Sequence, residues 1–305
     1  AVKLGMGIED FKVRFSFVRE KLLAKRAVRA RPAKDDKILT DMNGVMIAAL
    51  SMGARAFSMP KYAAAAKSAA RFALGNMKIK DAGLLHWYRG FPVSVEGFLA
   101  DYAFLVWGLL ELYETTFEEE FLFEAMRLND VVISRFSDKR GGFYLTSDTA
   151  EKVLVRQKEF YDGAFPSGNS VTVHNLLRLW LMTGDKNLLK IAEDAVRFAS
   201  DRIKEVPSAH LHLLSAVDFM LGPSYHIAIA GERFDSDTEE LINALYRSFV
   251  LNRVLLFMPS IGDSKRLLDM SPSMKGLSSA SGGGGKAAVY VCKSGTCLPP
   301  VTTVE

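Results

Sequence analysis

Two kinds of apolar pattern alternate along the chain. Residues 42–57 (MNGVMIAALSMGARAF), 98–113 (FLADYAFLVWGLLELY) and 169–182 (NSVTVHNLLRLWLM) are apolar nearly all round, which predicts helices buried on every side. Each precedes a run with its charges on one face, at 61–74, 119–134 and 186–203, and a fourth pair is read at 207–221 and 237–250. The links within pairs are short, as antiparallel helix hairpins require. Thr116 with Glu119, and Ser236 with Glu239, have the spacing of capping boxes. Buried and amphipathic helices repeated in this way curl into an inner ring wrapped by an outer ring.

After Leu221 the period changes. Residues 225–231 and 253–259 read as strands around the helix at 237–250, and 287–292 adds a third strand. The stretch 273–286 has the composition of a flexible linker, and its glycine run lacks the form of a phosphate loop. The expected organisation is a helical-hairpin domain over 1–221, with a strand–helix–strand and cysteine hairpin over 222–305 packed on it.

The connections at 75–95 and 135–168 exceed what helix hairpins need, and long loops in compact domains are usually functional. In a ring, TDMNG (40–44), HWYRGFPVSVEGFLADYA (86–103) and RQKEFYDGAFPSGNS (156–170) all lead into inner helices at one end, so they are expected to converge. Asp41 stands where a carboxylate caps free N–H groups. Asp101 lies one turn into an apolar helix, where it must be hydrogen-bonded or face a wet cavity. Asp162 completes a trio of carboxylates. His86 and His174 are candidates for acid–base chemistry. Arg156, Lys158 and Glu159, with Ser167 and Asn169, form a polar ligand-facing set on the third loop. Tyr102, Trp87 and Tyr161 would supply ring faces for a sugar.

Composition narrows the classes. The 305 residues are 49% hydrophobic and 24% charged, as for a globular chain with a sizeable core. A surplus of 39 basic over 35 acidic residues is too small and scattered to indicate nucleic acid. The dense basic segment at 21–34 reads as a solvated helix face and its exit. No apolar window is long enough for a membrane span, and no leader pattern is present at the start, so a cytoplasmic location is expected. Cys292 and Cys297 suit a hairpin that faces two sulfurs across its strands, either as a labile disulfide or as a reduced pair. Two thiols do not complete a zinc site, so no metal and no cofactor is expected.

DDKILTDMNGVMIAAL, EGFLADYAFLVWGLLELYE, RGGFYLTSD, RQKEFYDGAFPSGNS and YVCKSGTCLPPV, in this order, resemble the C-terminal part of the spermatogenesis-associated protein 20 family. That resemblance implies an α/α toroid similar to six-hairpin glycosidases and N-acylglucosamine 2-epimerases, following an N-terminal thioredoxin-like domain. The fold class expected here is therefore mainly α: an incomplete α/α toroid of about nine helices with a small C-terminal β element. The chain departs from the family pattern at Met42, where a Trp is expected, and at Ala100, where an acidic residue is expected.

Two functions follow. One is a non-catalytic toroid that binds a saccharide-like ligand or a partner such as a thioredoxin-like protein. The other is a carbohydrate-active enzyme, using carboxylates among Asp41, Asp101 and Asp162 for hydrolysis or His86 and His174 for epimerisation. An open arc with apolar edges also predicts a homo-oligomer.

Overall fold

The computed structural model describes residues 1–79, 83–90, 95–259, 265–275, 277, 287–293 and 295–304. The chain divides into two units, Ala1–Lys37 and Ile38–Glu305. The first holds α1 (Ile8–Ala27), a helix with no buried residue, as the charge density of its second half predicts.

The second unit opens with β1 (Ile38–Leu39), α2 (Thr40–Phe57), α3 (Pro60–Asn76) and β2 (Trp87–Tyr88). It continues through α4 (Leu99–Thr116), α5 (Glu119–Phe136), α6 (Gly168–Thr183), α7 (Lys186–Glu205) and α8 (Leu211–Leu221). Helices α2, α4, α6 and α8 pack on one another in succession, and α3, α5 and α7 each cover the inner helix before them. The helices predicted apolar all round are the inner layer, because only a helix with neighbours on every side buries such a surface. In α4, Leu105, Leu109, Leu110, Leu112 and Tyr113 are all fully buried. The α2–α4 crossing is closest at two glycines. A Cβ on Gly44 would lie 2.4 Å from the carbonyl carbon of Phe104, and one on Gly108 would lie 2.6 Å from the Gly44 oxygen.

Beyond α8 come β3 (Tyr225–Gly231), α9 (Ser236–Arg247), β4 (Arg253–Pro259), α10 (Lys265–Met270), β5 (Ala288–Lys293) and β6 (Thr296–Cys297). The sheet order is β4-β3-β5-β6, with β3 and β4 parallel and the other pairs antiparallel. The parallel pair follows from the helix that crosses between them. The cysteines face each other in register and form a disulfide, settling the alternative left open by their spacing. The apolar core runs unbroken from Ile47 through Leu109 and Leu176 to Ile227 and Leu255.

Two expectations are corrected. The fourth hairpin does not form, because β3 intervenes: α8 packs on α6, whereas α9 contacts β3 and β5. The capping boxes are also absent as read. The N-cap of α5 is Glu118 and that of α9 is Asp235. Most of the linker stretch, at 276 and 278–286, lies outside the described residues.

Candidate functional site

Helix α2 begins where the loop carrying His86 crosses it. The Thr40 N–H donates to the His86 carbonyl (2.9 Å), next to the antiparallel β1–β2 pair. Asp101, in the first turn of α4, accepts from the Phe98 N–H at 2.8 Å and the Asp41 N–H at 3.0 Å. Both are donors that a helix start leaves without intrahelical partners. The same carboxylate meets His86 Nδ1 at 2.9 and 3.1 Å. Asp101 is fully buried, and burial raises its carboxyl above the usual range while the bond to His86 opposes the rise. His86 is partly exposed, with its ring set edge-on to Phe98.

Asp41 completes the group: one potential ligand atom from each of Asp41, His86 and Asp101 lies within 4.8 Å of the others. Three such donors within reach of one another could hold a metal ion. Asp101 and His86 already satisfy one another, and the Asp41 carboxylate accepts its neighbour Met42's N–H at 2.7 Å. The arrangement therefore suits an imidazole held in one orientation by a carboxylate.

Asp162 stands at the same end of the inner layer, between two other helices. It accepts from Ser167 N at 2.8 Å before α6, and from His212 N and Leu213 N at 2.9 and 3.1 Å at the start of α8. Next to it, Ser167 caps α6 by accepting from the Ser170 N–H. The N-terminal ends of four inner helices thus gather on one side, as the ring reading requires.

The residues expected to reach a ligand from the third loop instead hold that loop. Arg156 donates to the carbonyls of Thr146 and Arg135 and lies over the Tyr144 ring at 4.2 Å. Lys158 pairs with Asp138 at 2.8 Å and sits over Phe198. Glu159 accepts from the N–H groups of Phe160 and Tyr161. Asn169 exchanges hydrogen bonds with both backbone groups of Phe143 and donates to the Glu159 carbonyl. A long connection cannot stay ordered with its backbone polar groups unmet, and these side chains meet them. Tyr102 is likewise a core residue: it is buried, and its hydroxyl accepts from Leu84 N at 2.8 Å. Of the aromatic set, Tyr161 is exposed and Trp87, on β2, is half-buried.

At the other end of the inner helices lies a cavity of about 590 Å³ that the sequence reading did not mark. Arg55, Glu111, Glu114, His174 and Arg178 line it. Arg178 pairs with Glu111 at 2.7 Å and Glu114 at 2.8 Å, and Arg55 also pairs with Glu111. Burial pushes the Glu111 carboxyl up, but Arg178 and Arg55 outweigh it and hold it at about 2. The signal was present in the sequence. Glu111 and Arg178 are charges inside runs predicted buried all round, the same anomaly that drew attention to Asp101.

His174 belongs to this cavity, away from His86. Its ring lies against His212 and Phe219, and burial, aided by Arg178, depresses its pKa to about 3. The two histidines expected to act together have different partners: His86 meets Asp101, whereas His174, neutral near pH 7, lies among His212, Phe219 and Arg178.

No protein-family model matches the chain. It is homologous along nearly its whole length to spermatogenesis-associated protein 20. The Mus musculus protein is 33% identical over 313 residues, covering 99% of this chain, and the Homo sapiens protein is 32% identical over the same span. The chain spans 39% of the length of these relatives. Among solved structures, an α-mannanase from Bacteroides thetaiotaomicron matches with a TM-score of 0.50 at 17% identity, covering 72% of this chain and 58% of that one. The match shows the fold alone: an α/α toroid, matched in part.

Proposed function

We propose that the protein acts on a saccharide-like ligand at the N-terminal end of its inner helices, with His86 transferring a proton and Asp101 positioning it. The supporting observation is the contact of His86 Nδ1 with a fully buried carboxylate that two backbone N–H groups also hold. A carboxylate so placed fixes the tautomer and orientation of the partly exposed imidazole, as a positioned acid or base requires. Asp101 itself touches no substrate, since it has no exposed surface. Hydrolysis by paired carboxyl groups needs both to reach the sugar, so the geometry favours proton removal and return beside a carbonyl, an epimerase-type reaction. Asp41, partly exposed beside the pair, is the second polar group available to a substrate hydroxyl.

A second reading, ligand binding without turnover, is favoured by Met42 and Ala100, the two departures from the family pattern, which sit next to Asp41 and Asp101. One experiment separates the two. The full chain is incubated in D2O with a panel of mono- and disaccharides, while binding is followed by calorimetry. Acid–base chemistry predicts deuterium at a sugar carbon, lost at least 100-fold in His86→Ala with binding kept. Binding without deuterium incorporation supports the second reading. Absence of both, at millimolar saccharide, removes the two together.

A further inference from the structure

The small sheet carries a second chemical group, remote in sequence from the aspartates. His226 on β3 pairs in register with Cys292 on β5, and Cys292 pairs with Cys297 on β6. Residues directly opposite one another on adjacent strands project from the same face. The imidazole and the two sulfurs therefore form one row across three neighbouring strands. Exposure rises along it: His226 and Cys292 are each 6% exposed, whereas Cys297 is exposed on the outermost strand of the sheet.

The row holds an unmet polar atom. His226 Nε2 is buried without a hydrogen-bond partner among the described residues. Burial also holds the imidazole pKa down at about 4, so the ring is neutral near pH 7 and one of its nitrogens is an acceptor. With the ring proton on Nδ1, Nε2 is that acceptor, and a buried acceptor left unpaired is destabilising. While Cys292 is tied to Cys297, its sulfur carries no hydrogen. Once the disulfide opens, Cys292 becomes a thiol, a donor on the same sheet face as His226.

We propose that His226, Cys292 and Cys297 form a thiol–disulfide exchange site that reacts with dithiols, His226 favouring the reduced state by accepting the Cys292 thiol. A thiolate of the dithiol attacks the exposed Cys297 sulfur and forms a mixed disulfide. The Cys292–Cys297 bond breaks, and its electron pair leaves on Cys292, which takes a proton from solvent and donates it in a hydrogen bond to Nε2. The second thiolate of the same dithiol then closes on its own sulfur in the mixed disulfide and expels Cys297 as a thiolate. Two electrons pass from the dithiol, which becomes a cyclic disulfide, to the cystine. The direction of attack follows from access, since the buried sulfur is the leaving group and the exposed one the target. This site is independent of the reading given to His86 and Asp101.

The test equilibrates the full chain with graded mixtures of reduced and oxidised dithiothreitol, traps free thiols by alkylation and counts them by mass. At a fixed mixture, His226→Phe is expected to lower the ratio of reduced to oxidised protein about tenfold, the fold-change for one hydrogen bond lost from the reduced state. Should His226→Phe fail to fold, ¹⁵N spectra of the wild-type imidazole decide: Nε2 must shift to a hydrogen-bonded position on reduction. A ratio unchanged by the substitution, an Nε2 signal indifferent to reduction, or a disulfide that excess dithiothreitol leaves intact in the folded chain would overturn the proposal.

Discussion

The two ends of the inner helices bury charge by different means. At the N-terminal end the carboxylates of Asp101 and Asp162 are met by backbone N–H groups, two on Asp101 and three on Asp162. At the C-terminal end, Glu111 and Glu114 are met by Arg178 and, for Glu111, by Arg55, which also donates to the Glu111 carbonyl at 2.8 Å. The helix explains the contrast. Its first turn offers unbonded N–H groups and the positive end of the dipole, so a carboxylate needs no cation there. Its last turn offers carbonyls, where a buried carboxylate requires an arginine that can satisfy side chain and carbonyl together. A carboxylate held by backbone remains able to orient a second group such as His86. One locked between two guanidiniums is structural.

If that contrast is right, the largest effect comes from cutting the arginine lattice. Arg178→Met leaves Glu111 with Arg55 alone and removes the ion-pair partner of Glu114 in the interior. Breaking a buried pair in this way costs about 3–5 kcal/mol, expected as a fall in melting temperature of about 10 °C. Urea denaturation with an unchanged slope would measure the loss. A loss under 1 kcal/mol would mean the lattice is as well solvated as a surface pair, and the two ends would no longer differ in kind.

The pH dependence should separate the ends next. Glu111 and His174 both have folded-state pKa values below the unfolded ones, about 2 against 4.5 and about 3 against 6.5. The unfolded chain then binds protons first. Stability from His174 is complete above pH 6.5 and falls as the pH drops towards 3, and that from Glu111 falls between 4.5 and 2. Asp101 is shifted the other way, chiefly by burial, so it favours the folded state more as pH falls into the carboxyl range. Each fully shifted group contributes a slope of up to about 1.4 kcal/mol per pH unit. Arg178, His212 and Glu111 face His174 electrostatically, Glu111 alone favouring its charged form. His174→Gln should flatten the stability profile between pH 6.5 and 4.5, as followed by thermal unfolding at each pH. An unaltered profile would show that His174 is hydrated.

The layering was legible because periodicity records burial: residues 98–113 are apolar all round, and α4 is enclosed. The gathering of Asp41, His86 and Asp101 was legible for a similar reason, since long loops leading into parallel helices share an end. What sequence left open was which polar group meets which. Asn169 and Glu159 look like ligand groups in RQKEFYDGAFPSGNS, but the backbone donors and acceptors they satisfy belong partly to Phe143, 26 residues before Asn169. The Arg55–Glu111–Arg178 lattice spans three helices, and no spacing within one helix encodes it. The placing of His226 next to Cys292 required the strand register, which their positions within apolar runs do not reveal.

The smallest expected effect sharpens the description of the N-terminal end. Asp162→Asn keeps an oxygen for the Ser167 N–H, or for those of His212 and Leu213, but removes the charge at the positive ends of α6 and α8. Charge at a helix start is worth about 0.3–1 kcal/mol when exposed, and Asp162 is partly exposed. A loss of that size, shrinking as salt is added, is expected by chemical denaturation, with the saccharide panel's response unchanged because Asp162 only joins two helices. Asp162→Ala, which removes the acceptor as well, should cost more, about 1–2 kcal/mol. Equal losses for the two variants would mean that charge, and not hydrogen bonding, holds this end together. A loss of ligand response at intact stability would return Asp162 to the site that Asp41, His86 and Asp101 form.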